Sequence, residues 1–389
     1  MRKRNMHQSQ QRILVIYRVN QFSKKLAGVW HKLLGQLQGF ADAGMEVYAL
    51  YMSLGSQHLA RVDHGELSVV KQWQPIAVET EKQQFWQHAT EAAEYCKADV
   101  VYCRYDKMYE QPCLAQFAAA LPKQQQQLCI EFATFPYTQE IQDQAKINAD
   151  CRNRQLLLQH VDFVFSTQFS PEIDGKPNHF FSNQLAKAFL DNSSDSKHGL
   201  VLQQRLNLIS VANVSFWHGF DRVLQGLRAY YDKHQSDDVH YYIAGTGDEL
   251  ARLQERSRQL QLDNVVHFLG FQTHQQLNQL YGTMSVGIAG LGLHRKGLSE
   301  NCALKVREYL ANGLPVVKST FDRALAQCSW TLDVSADDHP LDIDAVREFV
   351  LKADNAGECR EQIRQFAKRE LSWKKHAQLV QQALSGVTL

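Results

Sequence analysis

RILVIYRVNQFSKKLAGVWHKLLGQLQGFADAGMEVYALY, residues 12–51, decides the fold class. Arg12–Tyr17 carries a short continuous apolar run, the pattern of a strand buried on both faces. A polar loop, Arg18–Gly28, follows. Val29–Ala43 then places Trp30, Leu33, Leu34, Leu37 and Phe40 three or four residues apart, which predicts a helix with one apolar face. Gly44 stops it, and Glu46–Tyr51 is a second apolar run. Strand, loop, helix and strand in that order make a parallel-sheet unit.

Downstream the pattern continues. Val100–Cys103, Leu128–Phe132 and Phe163–Ser166 read as strands, and Gln139–His160 as a polar helix. A polar stretch from Asp191 to His198 interrupts it. The alternation then restarts. Leu206–Val211, His240–Ala244, Val265–Phe268, Val286–Ala289 and Leu314–Lys318 read as strands, with helices at Phe220–Tyr231, Asp248–Gln261 and Thr273–Tyr281 between them. The expected architecture is therefore α/β, with two doubly wound Rossmann-like domains facing a cleft. The expected boundaries are 1–190 for an N-terminal acceptor-side domain, 191–204 for a linker and 205–371 for a C-terminal domain. Residues 372–389 form a last helix with Trp373, His376, Val380 and Leu384 at helical spacing, expected to pack across the junction.

Composition excludes several classes. The chain has 389 residues, 44% of them hydrophobic, enough for two cored domains and too apolar for global disorder. A net charge of +1 argues against a nucleic-acid role. The charge is uneven: Arg2, Lys3, Arg4, Arg12, Arg18, Lys24, Lys25 and Lys32 face no acid before Asp42. Two readings stand, an ordinary basic surface or a face for an anionic partner such as a membrane. The eight cysteines lack Cys-x-x-Cys spacing, so no metal site is expected. No export signal and no run of about 20 apolar residues is visible, so the expected location is the cytoplasm.

The chemistry concentrates in GLSENCALKVREYLANGLPVV, residues 297–317. Glu300 lies on a loop before a helix expected from about Ala303 to Ala311, and Glu308 lies on that helix. A helix start presents amide N–H groups and a positive dipole to an anion. Carboxylates beside it accept from hydroxyls. The other reading makes Glu300 a cap and Glu308 a solvated residue. Gly245-Thr-Gly247 after a strand, and Gly28 before the first long helix, permit either a tight turn or close backbone approach to a ligand.

Three blocks, VANVSFWHGFDRVLQGL (211–227), YYIAGTGDELARL (241–253) and residues 265–317, together resemble the donor-binding half of GT-B glycosyltransferases, specifically the retaining group called glycosyltransferase family four. The N-terminal half is similar more weakly, through Gly28, Gly44–Val47, Tyr102–Tyr105 and Ile130–Tyr137. The resemblance implies transfer of a sugar from a nucleoside-diphosphate donor to a glycan or lipid-linked acceptor, without a cofactor or a metal, in surface polysaccharide or glycoconjugate synthesis. It implies that Glu308 accepts from the ribose and Glu300 from the donor sugar. The amides from Ser299 through Asn301 to Cys302 would face the sugar and diphosphate. Gly28 would close on the diphosphate. Gly245 and Phe271, within Phe268–Gln272, would frame the base. Thr134, Phe135 and Tyr137 would line the acceptor side. One departure stands out: the family's usual arginine and lysine of the first block are Asn213 and His218 here. Lys305, Arg295 and Lys296 are the candidate replacements, each with a solvated basic loop as its other reading. The departure also motivates a second function, a catalytically silent GT-B subunit that binds a glycan or a partner. A sugar-nucleotide epimerase of the same architecture is a third.

Overall fold

A computed structural model describes residues 10–386 apart from 24–25, 64, 75–79, 134, 136–142, 169, 186–189, 191–199, 201–204 and 355–358. The chain divides into two compact units, residues 1–186 with 372–389, and residues 187–371. The C-terminal helix therefore belongs to the first unit.

That unit is built on one sheet. Its strands are β1 (Arg12–Asn20), β2 (Glu46–Ser53), β3 (Ser56–Asp63), β4 (Glu66–Trp73), β5 (Val100–Arg104), β6 (Gln127–Phe132), β7 (Phe163–Ser166), β8 (Glu172–Ile173) and β9 (Lys176–Phe180). The order is β4-β3-β2-β1-β5-β6-β7-β9-β8. The centre is parallel, and β3 and β4 extend it as an antiparallel hairpin. The sequence reading passed over that hairpin, because β4 is solvated and its polar and apolar residues do not alternate cleanly. Helices α1 (Ala27–Asp42) and α11 (Trp373–Leu384) cover one face of the sheet. Helices α2 (Glu81–Cys96), α3 (Cys113–Ala120) and α4 (Gln144–Leu158) supply the second core. Gly39 fixes the contact of α1 with α11: a Cβ there would lie 2.5 Å from the carbonyl oxygen of Trp373. Helix α4 begins later than the sequence suggests, where Asp143 accepts from the amides of Ala145 and Lys146.

The second sheet is parallel throughout, in the order β12-β11-β10-β13-β14-β15. Its strands are β10 (Leu206–Val211), β11 (Val239–Ala244), β12 (Val266–Gly270), β13 (Val286–Ile288), β14 (Val316–Lys318) and β15 (Thr331–Asp333). Its helices are α5 (Phe220–His234), α6 (Leu250–Gln259), α7 (His274–Tyr281), α8 (Leu304–Ala311), α9 (Ile343–Asp354) and α10 (Cys359–Glu370). Most of the expected linker lies outside the described residues. Leu200, however, is fully buried and its amide donates to Asp354, so that part of the segment is core rather than connector.

Apolar burial forms both cores, but one charge organises the first. Glu131, near the end of β6, has no exposure to solvent. Lys32 on α1 lies 2.7 Å from it. Tyr17, Gln36 and Tyr102 donate hydrogen bonds to its Oε2 at 3.0, 2.6 and 2.8 Å. The Tyr102 hydroxyl also lies 3.1 Å from His376 on α11. Burial pushes the Glu131 carboxyl up, but Lys32, Arg104 and the hydrogen bonds outweigh it and hold it at about 2.

The described basic residues of the N-terminal stretch are therefore engaged. Lys32 pairs with Glu131, Arg12 with Glu46, and Arg18 with Asp106 and Glu81. Arg2, Lys3, Arg4, Lys24 and Lys25, the other basic residues of this stretch, lie outside the described residues. All eight cysteines are free and seven are buried. Among the described residues no helix is long and apolar enough to cross a membrane.

Removing one partner of a buried pair leaves an uncompensated charge, which costs about 3–5 kcal/mol. Lys32→Met is expected to lose that much in a urea titration. A Glu131→Gln control tests the linkage. The Glu131 carboxyl titrates lower when folded than its ordinary 4.5, so its ionised form stabilises the fold above that pH. The advantage of wild type over Glu131→Gln should shrink as pH falls from 4.5 towards 2. A constant difference would refute the assignment.

Candidate functional site

In the second sheet β10 lies between β11 and β13, so the chain reverses direction of winding there. Ligands of open α/β sheets bind beyond the carboxyl ends of the strands at such a point. Two loops meet at it, 212–219 after β10 and 289–303 after β13. Gly219 has φ +66°, and a Cβ there would sit 2.6 Å from the amide nitrogen of Gly292. The Leu291 amide donates to the His218 carbonyl at 2.8 Å.

Arg295 fixes the same contact. Its guanidinium donates to both Asp221 oxygens at 2.9 Å, to the Phe216 carbonyl at 2.7 Å and to Asp338 at 2.8 Å. This corrects one expectation: Arg295 is engaged within the protein and holds the loop, so it does not supply a cation for a diphosphate. Lys296 is exposed, with its ammonium 4.6 Å from the Trp217 ring centre.

Lys305 is different. It lies in the first turn of α8, and its Nζ is shielded from solvent with no hydrogen-bond partner among the described residues. The ammonium lies 5.9 Å from the centre of the Phe220 ring. Burial pulls Lys305 down to about 8, opposed by the Glu308 carboxylate. Burial in turn raises Glu308, opposed by Lys305. Tyr309, the next residue, anchors the helix: its hydroxyl accepts from the Val211 amide at 2.9 Å. Its ring fills the space beside Gly287, where a Cβ would come within 2.3 Å of it. The end of β10 and the start of α8 are thereby tied together.

His218 belongs to the same group. Its Nδ1 accepts from the Ser215 amide at 3.1 Å, so the neutral ring carries its proton on Nε2. Burial first, then the charge of Lys305, lowers His218 to about 3. It is a neutral donor at physiological pH, stacked on Phe220 at 5.3 Å. Asn213 is exposed on the loop after β10.

Other expected site residues fare unevenly. Glu300 forms an isolated parallel bridge with Phe321, four residues before the first residue of α8. Ala303 is the N-cap of that helix rather than its first residue. The Asn301 amide donates to the Phe321 carbonyl at 3.0 Å, and the Ser299 carbonyl accepts from the Phe321 amide at 2.9 Å. The Asn301 amide is therefore satisfied internally, against expectation. Cys302 is buried. Gly245 and Gly247 are accounted for by packing: Cβ atoms there would lie 1.8 Å from the Ala212 carbonyl oxygen and 2.1 Å from that of Val214. Phe271 is 75% exposed beyond β12, free to meet a flat ligand.

In the first unit Gly28 is exposed on the first turn of α1, with open space where a Cβ would stand, so packing does not require glycine there. Phe135 is partly buried and packs on the core beside Phe132, with the Arg154 guanidinium 5.2 Å from its ring centre. Thr134 and Tyr137 lie outside the described residues. Among the described residues no group of three or more histidines, cysteines or carboxylates is placed to hold a metal.

Residues 193–327 match the family model of glycosyl transferases group 1. No curated protein matches the sequence. Solved structures resemble the whole chain. The catalytic domain of starch synthase IV from Arabidopsis thaliana, bound to ADP and acarbose, has a TM-score of 0.63 at 11% identity, covering 97% of this chain and 99% of that one. Alr3699/HepE of Anabaena in complex with UDP has a TM-score of 0.61 at 13% identity, covering 97% and 100%. WaaG, a glycosyltransferase involved in lipopolysaccharide biosynthesis, has 0.54 at 12%, covering 94% and 99%. At these identities the likeness speaks for the fold, which is GT-B.

The engagement of Arg295 yields a prediction. Charged hydrogen bonds at a partly buried site contribute about 1.5–3 kcal/mol. Arg295→Ala and Asp221→Ala should each lose about that much in thermal or denaturant unfolding. The double variant should cost less than their sum, because one pair is removed twice. Additive losses would show that the pair does not act as a unit.

Proposed function

We propose that this protein transfers a glycosyl residue from a nucleoside-diphosphate sugar to a glycan or lipid-linked acceptor, with retention at the anomeric carbon, in the synthesis of a surface polysaccharide or glycoconjugate. The observation that carries this reading is Lys305. A shielded ammonium without a hydrogen-bond partner is costly. A bound diphosphate would supply the missing anion. Next to it, Glu308 is a half-desolvated carboxylate suited to ribose hydroxyls, and His218 offers a neutral N–H to a phosphoryl oxygen. Lys305 thereby replaces the charge that Asn213 and His218 do not provide.

In the reaction the bond from the anomeric carbon to the diphosphate oxygen breaks, and the acceptor oxygen bonds to that carbon on the same face. The acceptor proton passes to the departing phosphate. Negative charge grows on that phosphate, where Lys305 and His218 stabilise it most. Glu300, held in place by its bridge to Phe321, is assigned to hydroxyls of the donor sugar. Phe271 is assigned to the base. UDP and ADP are the first nucleotides to test, since structural neighbours were solved with each. A silent binding subunit has no observation of its own in favour.

Titration calorimetry with UDP and ADP tests the assignment. Glu308→Gln and Lys305→Met should each weaken binding by about 1.5–3 kcal/mol. The pH dependence is more diagnostic. In the free protein Lys305 titrates at about 8, and an anion favours its charged form. Affinity should fall as pH rises above about 8, by up to about tenfold per unit. Lys305→Met should remove that slope. An unchanged slope would exclude Lys305 as the diphosphate cation, and wild-type affinity in Glu308→Gln would exclude the ribose role.

A further inference from the structure

The first unit holds a second cation, Arg104, without a hydrogen-bond or ion-pair partner among the described residues. Arg104 is the last residue of β5, directly opposite Glu131 in the register of β5 and β6. Strand β5 also pairs with β1, on the side away from β2. The chain therefore leaves β1 for one half of the sheet and returns through β5 to the other. The carboxyl ends of β1 and β5 mark the winding reversal of this sheet, the place where open α/β sheets receive ligands.

Arg104 is half-buried there. Its guanidinium carbon lies 5.7 Å from the centre of the Tyr17 ring. Among the described residues it has no hydrogen-bond or ion-pair partner. Its charge helps to hold Glu131 low, but the acids around it already have direct partners. Glu131 is already matched by Lys32 at 2.7 Å. Asp106 and Glu81 are held by Arg18 at 2.9 and 3.1 Å. His376, burial-lowered to about 3, contributes no charge at neutral pH. The local cluster of Lys32, Arg104 and Glu131 thus carries one positive charge in excess. A guanidinium is a planar fork of five N–H donors, and its natural complement is an oxyanion bound through two parallel hydrogen bonds.

We infer that Arg104 binds an oxyanion of the acceptor, a carboxylate or a phosphate, so that the acceptor belongs to the class of acidic or phosphorylated sugars. This rests on the transferase reading and adds the chemical class of its second substrate. Arg104 acts as a specificity residue for that substrate. The bonded Arg18 and Lys32, by contrast, maintain the frame around it.

The test uses the full chain and four probes: UDP, methyl glucoside, glucuronate and glucose 6-phosphate. Each is titrated by calorimetry into wild type, Arg104→Gln and Arg104→Lys. One of the two anionic sugars should bind wild type at least tenfold more tightly than methyl glucoside, and which one does identifies the oxyanion. Arg104→Gln should abolish that preference. Arg104→Lys should restore only part of it, because an ammonium lacks the fork. UDP affinity should be the same in all three proteins, which shows that the variants are folded. The inference is overturned if neither anionic sugar is preferred, or if Arg104→Gln retains the preference. Failure of UDP to bind wild type would instead count against the transferase reading.

Discussion

Taking an ion out of water costs several kcal/mol unless opposite charge and hydrogen bonds replace its hydration. The first unit satisfies that requirement at Glu131. Lys32, Tyr17, Gln36 and Tyr102 converge on one carboxylate, and they come from β1, α1 and β5. Tyr102 extends the group to His376 on α11. The position of the last helix of the chain is therefore coupled to the centre of the first sheet. The polar group and the close Gly39–Trp373 contact both fix where α11 lies on the sheet.

In the second unit the shielded Lys305 ammonium has no hydrogen-bond partner among the described residues. The surrounding loops are nonetheless rigidly held. Arg295 joins the loop after β13 to the start of α5, Gly219 and Gly292 bring two backbones into contact, and Tyr309 ties α8 to the end of β10. Preorganised charge of this kind acts on a ligand without first rearranging, which is how an enzyme gains from electrostatics.

Much of the fold was legible along the chain. The alternation of apolar strands with helices marked both parallel sheets, because strands buried on both faces must be apolar throughout. The segments that escaped were those with weak or mixed patterns. Strand β4 is largely solvated, and β15 is three residues long. The helices α9 and α10 lie beyond the last strand that was read. At the site, the spacing of Glu300 and Glu308 was visible, but the bridge of Glu300 to Phe321 was not, since it joins a loop to a segment beyond the next strand.

The sequence by itself determined the class of architecture and marked residues 297–317 as a candidate site. It could not rank the candidate cations. Arg295, Lys296 and Lys305 sit within eleven residues of one another and have the same local character. Tertiary structure separated them, because the partners of Arg295 are Asp221 and Asp338, 74 and 43 residues away. The same holds in the first unit, where Lys32 on α1 pairs with Glu131 on β6 while Arg104, opposite the same glutamate, has no ion-pair partner among the described residues. Whether a charge is answered depends on what the fold brings to it from afar, and local sequence carries no record of that.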